Sequence, residues 1–173
     1  MNPMNPNSKK FLAMATALMM GAILMALAIP HPANAFHLVG VGPRVGFTDP
    51  DGVDNTVNVG GGLDFEQGGS RIHLVPSLLY WNNEGLSDIN PNFDAMYHFS
   101  PAGRVSPYVG AGLGIHAYSQ DGPGDPGTDV GANLFGGLLF PSRGTSFFVE
   151  GRAVIADRDQ IGVLGGVNFN LGR

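Results

Sequence analysis

The chain has 173 residues, enough for one domain, and carries 9 lysines and arginines against 14 aspartates and glutamates. That acidic balance gives no electrostatic footprint for nucleic acid, and with no cysteine the chain has neither disulfides nor a thiolate metal site. Its 27 glycines recur inside alternating segments, where small residues let backbones or inward side chains pack closely.

Residues 1–35 read as a cleavable signal peptide. Lys9 and Lys10 give a cationic start, Phe11 to Ile29 is almost wholly apolar, and Pro30 breaks the run ahead of the small-x-small site Ala33-Asn34-Ala35. An uncleaved anchor is the rival reading, since a spanning helix needs roughly 17 to 25 apolar residues. Removal near Ala35 leaves residues 36–173 as one domain, with no lysine left to offset the carboxylates.

From Phe36 onward an apolar side alternates with a polar or small side in eight successive segments, the period of a β-strand between two different surroundings. Phe36 to Phe47 sets Val39, Val41, Pro43, Val45 and Phe47 against Gly40, Gly42, Arg44 and Gly46, and the loop TDPDGVDN follows. Thr56 to Glu66 sets Val57, Val59, Leu63 and Phe65 against Asn58, Asp64 and Glu66, before QGGS. Arg71 to Trp81 sets Ile72, Leu74, Pro76, Leu78 and Tyr80 against Arg71, His73 and Ser77, before NNEGLS. Asp88 to Phe99 opposes Ile89, Phe93, Ala95, Tyr97 and Phe99 to Asp88, Asn90, Asn92, Asp94 and His98, before SPAGR.

Val105 to Tyr118 opposes Val109, Ala111, Leu113, Ile115 and Ala117 to Tyr108, His116, Tyr118 and three glycines, and the longest break, SQDGPGDPGT, comes next. Asp129 to Phe140 opposes Val130, Ala132, Leu134, Leu138 and Phe140 to Asp129, Gly131, Asn133 and Gly137, before PSRG. Thr145 to Ala156 opposes Phe147, Val149, Ala153 and Ile155 to Glu150 and Arg152. After Asp157-Arg158-Asp159, the last segment, Gln160 to Leu171, opposes Ile161, Val163, Val167, Phe169 and Leu171 to Gln160, Leu164, Gly166, Asn168 and Asn170.

Breaks this short leave no room for crossover helices, so neighbours pair antiparallel in an all-β, up-and-down arrangement. A soluble sandwich would put charges outside. Here the polar side is glycine-rich with isolated charges, which suits a crowded interior, and each apolar run matches the roughly 9 to 11 residues of a tilted transmembrane strand. Lipid tolerates only a sheet without edges, so the prediction is an eight-stranded transmembrane β-barrel. Breaks two, four and six read as tight turns, and one, three and five as longer acidic loops. Phe65, Phe99, Phe140, Phe147 and Phe169 fall near the tight-turn end, with Phe47 and Tyr80 near the other.

These features resemble the small eight-stranded outer-membrane barrels of the OmpA-like, OmpX-like and opacity-protein kind, within the porin family. Gly166, Phe169 and Leu171 match that family's C-terminal assembly signal, whereas Leu164 and the trailing Gly172-Arg173 depart from it. The resemblance implies export, insertion by the outer-membrane assembly machinery, contact with membrane lipid and lipopolysaccharide, and a non-enzymatic role in envelope integrity or surface interaction, with no cofactor.

Arg44, Asp64, Glu66, Arg71, His73, Asp94, His98, His116, Glu150 and Arg152 form the expected lumen set, neutralising one another in a bore that eight strands leave only wide enough for side chains. A narrow porin-like channel is one alternative. A lipid A-modifying enzyme is another, resting on His116-Ala117-Tyr118-Ser119, but His116 and Ser119 leave opposite faces of one strand. Asp49, Asp51, Asp54, Asp121, Asp125 and Asp129 make an acidic rim suited at most to weak divalent-cation binding; the calcium-loop glutamate and its flanking helices are absent, and Asp-Gly and Asp-Pro are ordinary turn formers. No resident metal is expected, and the sequence names no surface ligand.

Overall fold

A computed structural model describes residues 36–83, 85–100, 104–120 and 127–171. The proposed signal peptide and its cleavage site lie outside that range, as do Asp121 and Asp125. The described chain forms eight strands: β1 Phe36–Pro50, β2 Thr56–Gln67, β3 Ile72–Asn83, β4 Leu86–His98, β5 Ser106–Gln120, β6 Thr128–Ser142, β7 Thr145–Ile155 and β8 Gln160–Asn170. Each pairs antiparallel with the next, and β1 pairs with β8, from Gly40↔Asn170 to Pro50↔Gln160, to close a barrel.

Alternation decides which way each side chain faces. Leu113 and Phe169 are 58% and 51% exposed, whereas Glu150 and Arg152 are 3% and 9% exposed. The apolar side is therefore the outside and the charged side the inside, in every strand. Outward residues also meet across strands, as in Phe93↔Leu113, Leu138↔Val149 and Phe140↔Phe147, so the apolar surface is continuous around the sheet. A bulge at Val39, between the pairs Leu38↔Phe65 and Gly40↔Asp64, locally interrupts the first strand's alternation.

Two expectations are corrected. The strands are longer than the apolar runs, because the polar residues flanking them continue to pair. Asn82↔Ser87 and Asn83↔Leu86 turn the supposed third loop into a two-residue hairpin connection, made by Gly85 at φ +80. The fourth connection, expected to be tight, spans residues 99–105. Loop length consequently does not distinguish the two ends. Charge does: the rim holding both ends of the barrel carries connections 68–71, 99–105 and 143–144, free of carboxylates, while the opposite rim carries 51–55, 84–85, 121–127 and 156–159, rich in them. We call these the terminal rim and the acidic rim.

The second correction concerns the bore. Val75, Leu79, Met96, Tyr108, Phe135, Phe148 and Leu164 pack there as a hydrophobic cluster, and Trp81, Leu86 and Tyr118 form another near the acidic rim. The inward glycines explain how rings of this size fit. A Cβ on Gly110 would lie 2.2 Å from the Phe135 ring, and one on Gly166 would lie 2.5 Å from Phe148. Each ring thus lies over bare backbone on a neighbouring strand, a cross-strand aromatic–glycine arrangement. Gly151 faces outward, and a Cβ there would meet nothing within 4 Å. Gly110→Ala is expected to destabilise the barrel by about 1–3 kcal/mol through overpacking, while Gly151→Ala leaves it unchanged, as read by urea unfolding of the detergent-refolded variants.

Candidate functional site

The charged side chains of the bore fall into three groups. Near its centre, Arg152 on β7 is fixed by carboxylates from two strands: Nη2 lies 2.8 Å from Asp94 Oδ2 and 2.9 Å from Glu150 Oε1, and Nε donates to the same Glu150 oxygen at 2.9 Å. The Tyr108 hydroxyl donates to Glu150 Oε2 at 3.1 Å. The Arg152 guanidinium lies 4.5 Å from the Phe135 ring centroid, and that of Arg44 lies 5.2 Å from Phe148. A glycine makes room for Arg44, since a Cβ on Gly62 would come within 2.6 Å of its guanidinium nitrogens.

An amide ladder runs from this centre toward the acidic rim. Asn133 Nδ2 donates to Asp94 Oδ1 at 2.9 Å and to Asn92 Oδ1 at 2.7 Å, and Asn92 Nδ2 donates to Asn90 Oδ1 at 2.7 Å. The second group follows. His116 Nδ1 lies 2.7 Å from Asp88 Oδ2, with both residues fully buried, and the imidazole stacks on Tyr118 at 5.8 Å. Trp81 and Leu86 join Tyr118 to cover the pair, with Val53 packed against them. The third group lies toward the terminal rim, where His73 Nδ1 is 2.6 Å from Asp64 Oδ1 and the His73 and His98 rings are 4.4 Å apart. Glu66 is half-buried one step nearer that rim.

Nine of the ten expected lumen residues therefore lie on the inner face, but in three groups and not in one network. Arg71 does not join them; it is exposed in the β2–β3 turn because strand pairing begins only at Ile72. Sequence reasoning left out Asp88, Asn92, Asn133 and Tyr108 as members, although their inward parity was visible. It also left out the apolar rings, which look like faults in the alternation until the register puts glycines opposite them. A space within the cluster, between Arg44, Tyr108, Phe135, Phe148, Glu150 and Arg152, measures about 20 Å³, room for roughly one water.

At the acidic rim, Asp49, Asp51, Asp54 and Asp159 line an open cup of about 430 Å³. Asp129 stands apart and supports turns: its carboxylate accepts from the Val130 and Asp157 amides at 2.6 and 2.5 Å. Asp159 likewise accepts from the Ala156 amide at 3.1 Å, and Arg158 donates to the Asp51 carbonyl at 2.8 Å. Among the described residues, no three His, Asp or Glu side chains gather closely enough to hold a metal ion. Of the matched assembly-signal residues, Gly166 lies beneath Phe148, whereas Phe169 and Leu171 are exposed on or beside the last strand.

The barrel is similar to Neisserial surface protein A. The match to its crystal structure has a TM-score of 0.64 at 15% identity, covering 77% of this chain and 96% of that one. A de novo designed transmembrane β-barrel also aligns, with a TM-score of 0.49 and 19% identity over 78% of this chain and 98% of the design. No family model and no curated protein matches the sequence. At this identity the likeness to Neisserial surface protein A is one of fold: a closed, eight-stranded antiparallel barrel.

Removing one partner of a buried pair leaves an uncompensated charge. Arg152→Ala, which strands both Asp94 and Glu150, is expected to cost about 3–5 kcal/mol. Arg143→Ala, at an exposed turn, is expected to change stability by less than about 0.5 kcal/mol. Parallel denaturant titrations of the two variants check the contrast.

Proposed function

We propose that this chain is a non-enzymatic, surface-exposed outer-membrane barrel that contributes to envelope integrity or surface interaction through its acidic rim. The observation that carries the reading is the outer face: among the described residues 24 large hydrophobic side chains are exposed, and all eight strands contribute. Soluble monomers rarely expose contiguous apolar patches beyond a few hundred Å². A hydrocarbon surround removes that cost, and the closed sheet leaves no unpaired strand edge within it. The similarity in fold to a Neisserial surface protein supports the same setting.

In this reading the N-terminal leader directs export and is removed near Ala35, and the assembly machinery inserts the barrel by its last strand, where Phe169 and Leu171 face outward. The terminal rim faces the periplasm and the acidic rim the exterior. Two features support a closed, non-catalytic bore. Aromatic and apolar side chains pack directly among the central charges, and a second apolar cluster lies near the acidic rim. Ser119 sits on the outer face, across the strand from the buried Asp88–His116 pair, so the pair lacks that hydroxyl as a nucleophile.

Fractionation tests the proposal. The mature protein is expected to stay with the outer membrane after high-salt and alkaline washing, and release into the soluble fraction would refute it. Leu113→Arg sharpens the result, since an arginine on the lipid face near mid-bilayer costs about 2–4 kcal/mol. The variant is expected to lose membrane-inserted protein; improved solubility and yield would favour a water-facing barrel.

A further inference from the structure

The terminal rim has a charge pattern that neither the bore nor the fold uses. Each of its three connections contains one arginine, Arg71, Arg104 and Arg143, and no aspartate or glutamate. All three are exposed. The connections join β2 to β3, β4 to β5 and β6 to β7, so they are spread around the circumference at every second gap between strands. Arg173, outside the described residues, follows β8 in the sequence. The three remaining arginines are all engaged: Arg152 by carboxylates, Arg44 over an aromatic ring, and Arg158 by the Asp51 carbonyl. Among the described residues none of the rim arginines forms an ion pair.

Beside two of these turns the outer face turns aromatic. Phe140 and Phe147 pair across the strands that flank Arg143, and Tyr97 near the end of β4 packs edge-on against Phe99 at 5.2 Å, ahead of Arg104. Aromatic rings of this kind sit at headgroup depth. A guanidinium one turn beyond them reaches the phosphate level, where its planar fork can hold two phosphate oxygens at once.

We propose that the terminal rim is a docking surface for anionic phospholipid headgroups, spaced around the barrel and anchored by Arg71, Arg104 and Arg143. This rests on the membrane reading given above. The complementarity is local: the chain as a whole is acidic, with a formal charge of −5, yet the three connections of this rim carry arginine and no carboxylate, and the nearest one, Glu66 at the end of β2, is half-buried on the inner face. A zwitterionic headgroup would satisfy the aromatics equally well but would leave the guanidiniums without a net counter-charge.

Purified full-length mature protein is first floated with phosphatidylcholine vesicles; failure to float would sink the membrane reading itself. With floating protein, native mass spectrometry from detergent compares retained phosphatidylglycerol with phosphatidylcholine, and the same is done for the triple variant R71Q/R104Q/R143Q. Wild type is expected to prefer phosphatidylglycerol by about 5-fold per engaged arginine, the usual attraction of a basic side chain to an anionic surface. The preference should shrink with salt and vanish in the triple variant, while R158Q at the other rim keeps it. Unchanged heat-modifiable gel mobility shows that the triple variant still folds. Equal retention of the two lipids, or an undiminished preference in the triple variant, would overturn the proposal. So would displacement by inorganic phosphate beyond that by chloride at equal ionic strength, or a stronger preference for lipid A, which would assign the rim to the opposite leaflet.

Discussion

Closure of the sheet by β1 and β8 is the constraint on which everything else depends. A backbone amide or carbonyl left without a partner in hydrocarbon costs several kcal/mol, so a spanning sheet can have no edge. The nine register pairs from Gly40↔Asn170 to Pro50↔Gln160 satisfy that edge along most of both strands. Once the ring is closed, the two faces of every strand are sorted into one outside and one inside. Val45, Leu113 and Ile161 can then be exposed without penalty only if the outside is apolar. The charges of Asp94, Glu150 and Arg152 must be balanced locally, because the inside is small and nearly dry.

The bore shows how that balance is achieved. Arg152 satisfies two carboxylates, Tyr108 adds a hydroxyl to one of them, and Asn133 adds an amide to the other. Phe135 and Phe148 lie against the Arg152 and Arg44 guanidiniums, and burial strengthens each of these contacts relative to the same contact in solution. Glycine is what makes the layering fit: Gly62, Gly110 and Gly166 give up side chains so that Arg44, Phe135 and Phe148 can lie across neighbouring strands. The two rims then carry what the bore does not need, carboxylates at one end and arginines at the other.

Much of this was legible in the sequence, for a specific reason. A period of two is a one-dimensional signal, and it fixes the facing of Leu113, Phe169, Glu150 and Arg152 without knowledge of any partner. Strand ends were less legible, because Asn82, Asn83 and Ser87 pair by backbone alone and have no apolar neighbour to mark them. That is why the third loop looked long and the loop lengths looked asymmetric. The packing of the bore was not legible at all: Leu164 stood on an otherwise polar side and Phe135 and Phe148 went unassigned, until the register sets Phe148 beside Gly166 and Phe135 beside Gly110. The same holds for Asp88, whose partner His116 lies 28 positions away.

Spin-label accessibility along β6 tests the central claim most directly, and the cysteine-free chain accepts single labels without further change. Labels at residues 132, 134 and 138 and at residues 133, 135 and 137 would be compared in bilayers for collision with oxygen, which partitions into lipid, and with a water-soluble nickel chelate. The account predicts a period-two oscillation, with high oxygen and low nickel collision at 132, 134 and 138, and low values for both reagents at the inward positions. High nickel collision at 134 and 138 would contradict it.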